Sequence, residues 1–181
     1  MPTLYILQGI AGSGKSTLAK KMIAEGKALE HIEADTWMVD KIGNYSFDPK
    51  KLGYCHMMCR AEIEDCLKMG QNVIQSNTNL RRVDLQTYFD LAEQYGYEVT
   101  LIRLNSNFGS IHNVPPEKVA SMKGLLDRFD YQSLPEFVTV EEYYPEDEAH
   151  VEYLNQQSDQ CYEECMEQQS EQFPPYPLTK E

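Results

Sequence analysis

The sequence predicts an α/β fold, a three-layer sandwich whose mainly parallel sheet of about four to five strands is covered by helices on both faces. Three observations predict it. A glycine-rich loop, Gly9-Ile10-Ala11-Gly12-Ser13-Gly14-Lys15-Ser16-Thr17, joins an apolar run (Leu4, Tyr5, Ile6, Leu7) to a stretch with helical spacing. Further on, short apolar runs alternate with amphipathic stretches, which implies right-handed βαβ units. The 181 residues are enough for one domain with a real core.

The opening loop fits G-x-x-x-x-G-K-[ST] between a strand and a helix, the context the motif requires. Gly9, Gly12 and Gly14 permit a backbone approach that a Cβ would block, so successive N–H groups can face one phosphate chain. The helix N-terminus adds partial positive charge. Lys15 is placed to reach β- and γ-phosphates and the Ser16 hydroxyl to hold Mg²⁺, with Ser13 and Thr17 completing the phosphate-binding set. The loop therefore reads as an NTP site, taken as ATP with Mg²⁺.

Glu25-Gly26-Lys27 makes a turn, and Leu29 to Ala34 reads as a second strand ending at Asp35. Asp48-Pro49 reads as a helix start, with Asp as N-cap and Pro at the first helical position. Leu52, Cys55, Cys59, Ile63 and Leu67 then follow one face to Gly70. Val73-Ile74-Gln75 is the third strand, opening into Ser76-Asn77-Thr78-Asn79. The next helix carries Leu85, Tyr88, Leu91, Ala92 and Tyr95, with Gly96 as its cap. Glu98 to Leu104 is the fourth strand, and an irregular segment, Asn105 to Pro116, precedes a helix from about Glu117 to Phe129. Ligands of such sheets bind at the carboxyl ends of the strands, which gathers the loop, Asp35, the Ser76–Asn79 turn and residues 105–116 on one edge.

Beyond Leu134 the pattern decays, so residues 1–134 read as the catalytic domain and 135–181 as an acidic, partly ordered extension rich in Glu and Gln. Val151, Leu154, Cys161 and Cys165 would support at most one weakly amphipathic helix. The net charge of −13 belongs to that extension. Residues 1–140 carry 15 Lys+Arg against 17 Asp+Glu, whereas residues 141–181 carry one lysine against 12 acids. The domain itself is nearly neutral and compatible with a phosphate-rich partner.

Cys55, Cys59 and Cys66 recur at helical spacing and read as buried thiols; the odd total of five suits a reducing cytoplasm. No apolar run approaches the ~20 residues that span a bilayer, and the first strand begins too early to leave room for a signal peptide. The expectation is a cytoplasmic protein with no membrane partner, its oligomeric state unassigned.

Asp35, at the end of the second strand, is the candidate general base, positioned to take a proton from an acceptor hydroxyl across from the γ-phosphate. The third strand offers no carboxylate, so Mg²⁺ falls to Ser16, phosphate oxygens and water, with Asp35 in the outer shell as one option. Two readings are open for Asn77, Thr78 and Asn79 followed by Arg81 and Arg82. They form an acceptor-binding turn whose arginines meet substrate phosphates, or an Asx-turn capping the next helix.

The combination GIAGSGKST, HIEADTW, FDPKKLGYCH, NVIQSNTNL, YFDLAEQYGYEVTLI and HNVPPEKVASM, in this order from residue 3 to about 130, resembles the P-loop kinases grouped around polynucleotide 5′-hydroxyl kinase, the polynucleotide kinase-like AAA-type domains of phage and cells. The resemblance implies that Lys15 and Ser16 serve ATP and Mg²⁺, that Asp35 is the base, that Asn77-Thr78-Asn79-Leu80 lies near acceptor and phosphates, and that residues 105–116 are a lid presenting His112 and Asn113. It also marks departures. Phage polynucleotide kinases carry an arginine three residues after the base, where Met38 stands here, and a lid arginine that this segment lacks. Asn77 replaces an acid, although related cellular kinases also have Asn-Thr-Asn. Arg103, Lys118, Lys41 and His112 are the candidate substitutes.

The implied activity is transfer of the ATP γ-phosphoryl group to a hydroxyl of DNA or RNA, foremost a polynucleotide 5′-OH. Three other readings stand beside it: a kinase of a hydroxymethylated base in DNA, as in some phage enzymes that resemble this group, a kinase of a small-molecule hydroxyl, and a nucleotide-binding switch without turnover. The acidic extension reads foremost as a solubilising segment, and secondarily as a mimic of the substrate's phosphates.

Overall fold

Strict alternation along the first strand sets up the layers. In β1 (Thr3–Gln8), Leu4 and Ile6 enter the core on one face of the sheet and Leu7 enters the core on the other. Both faces must therefore be covered, as parallel sheets require. This is what the structure, a computed structural model describing residues 1–38, 42, 45–109 and 114–145, contains.

The elements follow in the order β1, α1 (Lys15–Ala24), β2 (Glu30–Ile32), a 3₁₀ turn (Ala34–Trp37), α2 (Leu52–Lys68), β3 (Val73–Gln75), α3 (Arg82–Tyr95), β4 (Glu98–Leu104), α4 (Pro116–Leu126) and β5 (Val138–Tyr143). The five strands form one sheet in the order β2-β3-β1-β4-β5, and every pairing is parallel. On one face Cys55, Cys59 and Ile63 of α2 and Leu85 and Phe89 of α3 pack with Leu4, Ile6, Val99 and Leu101. On the other, Leu18, Ala19 and Met22 of α1 pack with Leu7, Ile74, Ile102 and Leu104. The thiols of Cys55, Cys59 and Cys66 are free and buried, as their helical spacing implies.

Three differences from the sequence reading have local causes. Asp48 does not cap the helix: its side chain accepts the Lys50 N–H (2.9 Å) in an Asx-turn, and α2 starts four residues later at Leu52. The second strand ends at Ile32, because the chain turns into the 3₁₀ segment that carries Asp35. Past Leu134, where no strand was expected, β5 pairs with β4. It is an edge strand, mostly exposed, and so shows no buried alternation to betray it.

The chain divides into two units, Met1–Tyr144 and Pro145–Glu181. Of the second only Pro145 is among the described residues, so the expected helix on Val151, Leu154, Cys161 and Cys165 lies outside them. Among the described residues no helix is long and apolar enough to cross a membrane.

Candidate active site

The loop after β1 is pinned at both ends. The Gly9 N–H donates to the Thr78 carbonyl (3.1 Å), and the Leu18 N–H donates to the Gly14 carbonyl (2.9 Å), which starts α1. Gly12 and Gly14 have φ of 77° and 87°, where a side chain is strained. A Cβ on Gly9 would stand 2.5 Å from Ser13 Oγ and 3.0 Å from the Leu104 carbonyl oxygen. Phe108 closes over the loop: its N–H donates to the Gly12 carbonyl (2.8 Å), and its ring edge would be 3.4 Å from a Cβ on Gly14.

Lys15, on the first turn of α1, is only 9% exposed. Its Nζ donates to the carbonyls of Ile10 (2.7 Å) and Gly9 (3.2 Å). Burial lowers its pKa to about 8, against the opposing fields of Glu33 and Asp35. The ammonium thus lies in the field of two carboxylates that follow β2 in the chain.

Glu33 is the site residue that sequence reasoning missed. Its Oε2 accepts hydrogen bonds from Ser16 Oγ (3.0 Å) and Ser76 Oγ (2.7 Å), and His31 Nε2 lies 3.6 Å away. Burial works against its charge. The His31 ring and the two hydroxyls outweigh that cost and hold the carboxyl down at about 2, so it is ionised at neutral pH. No local signal marks it: Glu33 stands just before the 3₁₀ turn that carries Asp35, and it meets Ser16 only through the strand order β2-β3-β1.

Asp35 is exposed on the 3₁₀ turn. The turn is clamped from β3, because Asn77 Oδ1 accepts the Ala34 N–H (2.8 Å). The Asn77 amide also reaches Tyr88 Oη (3.4 Å) and Cys59 Sγ (3.5 Å). Asn77 therefore holds the Asp35 turn in place. Met38, where the resembling phage kinases have arginine, is fully buried, and its carbonyl accepts the Ser46 N–H (2.8 Å). This position points into the core and offers nothing to an acceptor.

Thr78 is half-buried, its carbonyl tied to the loop. Asn79 is 2% exposed and has φ of 54°. Its amide donates to the Leu7 carbonyl (2.8 Å) and Gln75 Oε1 (2.6 Å), while its carbonyl accepts from Gln8 Nε2 (2.8 Å). This corrects the acceptor contact expected of Asn79: a side chain spent on a buried network supports the floor of the site instead. Asn79→Ala is expected to cost about 2–5 kcal/mol of stability by leaving buried partners unpaired and alanine in the left-handed region. Urea unfolding measures this.

Arg81 is exposed, and both its guanidinium (2.7 Å) and its backbone N–H (3.0 Å) donate to the Asp84 carboxylate at the start of α3. Arg82 stacks over the Phe89 ring at 4.8 Å, and its buried Nη1 has no hydrogen-bond partner among the described residues. Both line a hollow of about 300 Å³ together with Arg128, Leu80, Phe129 and Asp130. Leu80 in turn packs with Ile10 of the loop and Leu126 of α4.

Of the lid segment, residues 105–109 and 114–116 are described, and His112 and Asn113 lie outside the described residues, as does Lys41. Arg103 is committed to the sheet edge, 3.7 Å from both Asp127 and Glu142 and over the Tyr131 ring. Lys118 is exposed on α4.

An AAA domain family model matches residues 4–107, from β1 to the residue before the covering Phe108. Among relatives, the 2′,3′-cyclic-nucleotide 3′-phosphodiesterase of Rattus norvegicus is 32% identical over 108 residues, which is 55% of this chain and 23% of that protein. The chain thus spans under a quarter of that relative's length. Among solved structures, a chain of the Pnkp1/Rnl/Hen1 complex superposes with a TM-score of 0.51 and 22% identity over 81% of this chain and 47% of that one. Kti12 of Chaetomium thermophilum, in complex with ADP-AlF3, superposes with a TM-score of 0.53 and 11% identity over 86% and 97%. At these identities the superpositions establish the fold. With the nucleotide-binding loop, the all-parallel sheet and the matched residues in agreement, the chain belongs to the AAA domain family and has the kinase-type P-loop fold.

Proposed function

We propose that the protein is an ATP-dependent phosphotransferase that moves the γ-phosphoryl group to a hydroxyl of a nucleic acid, foremost a polynucleotide 5′-OH. The observation that carries this reading is the exposed Asp35, on a turn clamped by Asn77 at the carboxyl end of the sheet and near enough for its charge to act on Lys15. An acceptor hydroxyl bound there gives its proton to Asp35 as its oxygen attacks the γ-phosphorus. The bond to the β–γ bridging oxygen breaks, and ADP leaves. Lys15 and the loop N–H groups, with the N-terminus of α1, offset the charge on the leaving phosphates. Mg²⁺, held by the Ser16 hydroxyl, would add further neutralisation.

The arginines favour a polyanionic acceptor over a neutral small molecule. Arg82 and Arg128 share one hollow beside the loop, and among the described residues the buried Arg82 Nη1 has no hydrogen-bond partner. The relatives named above fit this direction, one acting on a cyclic nucleotide and one belonging to a complex that contains Pnkp1.

The test is a transfer assay with γ-labelled ATP over 5′-OH oligonucleotides, hydroxymethyl-base DNA and single nucleosides. Arg128 is exposed, so Arg128→Ala leaves the fold intact. It is expected to raise KM for oligonucleotides about 10-fold, to leave nucleoside KM unchanged, and to reduce the salt slope by about one. Equal effects on both acceptors would remove the polyanion reading. A second reading, a nucleotide switch without turnover, is favoured by the burial of Met38, which withdraws that position from the acceptor. It requires Mg²⁺-dependent ATP binding with no labelled acceptor in the panel.

A further inference from the structure

The Ser16 hydroxyl is the group through which this loop would hold Mg²⁺, and oxygen donors of this kind suit that ion. Such a site is ordinarily backed by a carboxylate, and β3, the strand beside β1, supplies none: Val73-Ile74-Gln75 leads into Ser76. From the arrangement around Ser16 we infer that Glu33, reaching over from β2, is the carboxylate that positions this hydroxyl for the cation, one strand further out than the missing acid. The inference rests on the ATP-site reading above.

Three features of the geometry carry it. First, a serine hydroxyl has one proton and two lone pairs. With its proton given to Glu33 Oε2 at 3.0 Å, the lone pairs of Ser16 are turned away from Glu33 and left to a cation. Second, β2 is the strand beyond β3 in the sheet, and strands lie about 4.8 Å apart. An acid placed there needs the extra methylene of glutamate to reach α1. Third, β3 contributes support in place of charge. Ser76 donates to the same Oε2 at 2.7 Å, and His31 Nε2 stands 2.7 Å from Ser76 Oγ. Both hydroxyls and the imidazole thus converge on one carboxylate. A turn-capping or purely structural acid would have no reason to take the proton of the P-loop serine.

Glu33 is therefore a positioning residue, acting on the metal through Ser16. Losing such an outer-shell partner costs about 10–100-fold in metal affinity. The second effect has the opposite sign: a negative charge near the phosphates opposes ATP in the absence of metal.

The experiment compares wild type, Glu33→Gln and Glu33→Asp by calorimetric ATP binding across a Mg²⁺ titration and in EDTA. Mn²⁺ binding to the protein–ATP complex is followed in parallel by EPR, and thermal unfolding controls for folding. Glu33→Gln keeps an acceptor for the two hydroxyls and removes the charge. It is expected to bind ATP in EDTA as well as wild type or better, while needing about 10–100-fold more Mg²⁺ for half-maximal tightening. Glu33→Asp, charged but shorter, should fall between them. An unchanged Mg²⁺ requirement in both variants overturns the role of Glu33 while leaving the ATP site standing. Equal weakening with and without Mg²⁺ assigns Glu33 to structure alone and also overturns it. If wild type itself binds ATP without regard to Mg²⁺, the donor-site reading falls first, and this inference with it.

Discussion

Lys15→Met should abolish phosphoryl transfer, by at least about 10²–10³-fold, while making the folded protein more stable at neutral pH. The two effects share one cause. Lys15 is buried with its ammonium against the Gly9 and Ile10 carbonyls, ready to meet phosphate charge in a water-poor setting where it counts most. That burial costs the charged form, which is why its pKa falls to about 8 despite Glu33 and Asp35. The sign follows from linkage. Between about pH 8 and the ordinary lysine value of 10.5, the unfolded chain holds a proton that the folded one has released, so stability rises with pH there. Below pH 8 the cost is fully present. Methionine removes it, so the variant should unfold at a higher temperature than wild type at pH 7, with the gap closing toward pH 10. Thermal unfolding at three pH values, beside ATP binding, checks both halves. Loss of stability together with loss of binding would mean that the ammonium mainly braces the loop.

Asp35→Asn is expected to lower kcat by about 10²–10⁴-fold and to leave ATP affinity within a few-fold of wild type. The turn is held by Asn77 through the Ala34 N–H, not by the Asp35 side chain alone, so the isosteric amide should keep the backbone where it is. Removing a negative charge near Lys15 would, if anything, favour ATP. A kcat loss at constant ATP affinity identifies a group that acts on the acceptor's proton. A variant that loses ATP binding in proportion to activity would instead assign Asp35 to the nucleotide or its metal. Single-turnover measurements at saturating ATP separate the outcomes.

Much of this architecture is legible in the residues because it is local. The loop from Gly9 to Thr17 announces itself by spacing, and β4 runs from Glu98 to Leu104 as its apolar alternation suggests. Gly96 ends α3 in the left-handed conformation that its position implies. What could not be read depends on which strands become neighbours. Glu33 is an ordinary acid in the sequence, and only the order β2-β3-β1 brings it to Ser16 and Ser76. Asn79 looks like a polar turn residue open to an acceptor. Its burial follows from Gln8 and Gln75 meeting it from two adjacent strands. The hollow joins Arg82 to Arg128, 46 positions apart in the sequence, through the packing of Leu80 against Leu126 and Ile10. Nor does β5 advertise itself, since an exposed edge strand carries no core pattern.

In the proposed reaction Lys15 and Asp35 serve the two ends of one transfer to a nucleic-acid hydroxyl. Its most direct test is to incubate the protein with γ-labelled ATP, Mg²⁺ and a 5′-OH oligonucleotide, and to map the position of the label. A single labelled phosphate is expected at the 5′ terminus, absent with Lys15→Met and strongly reduced with Asp35→Asn. An oligonucleotide that stays unlabelled while the same protein binds ATP in a Mg²⁺-dependent way would contradict it.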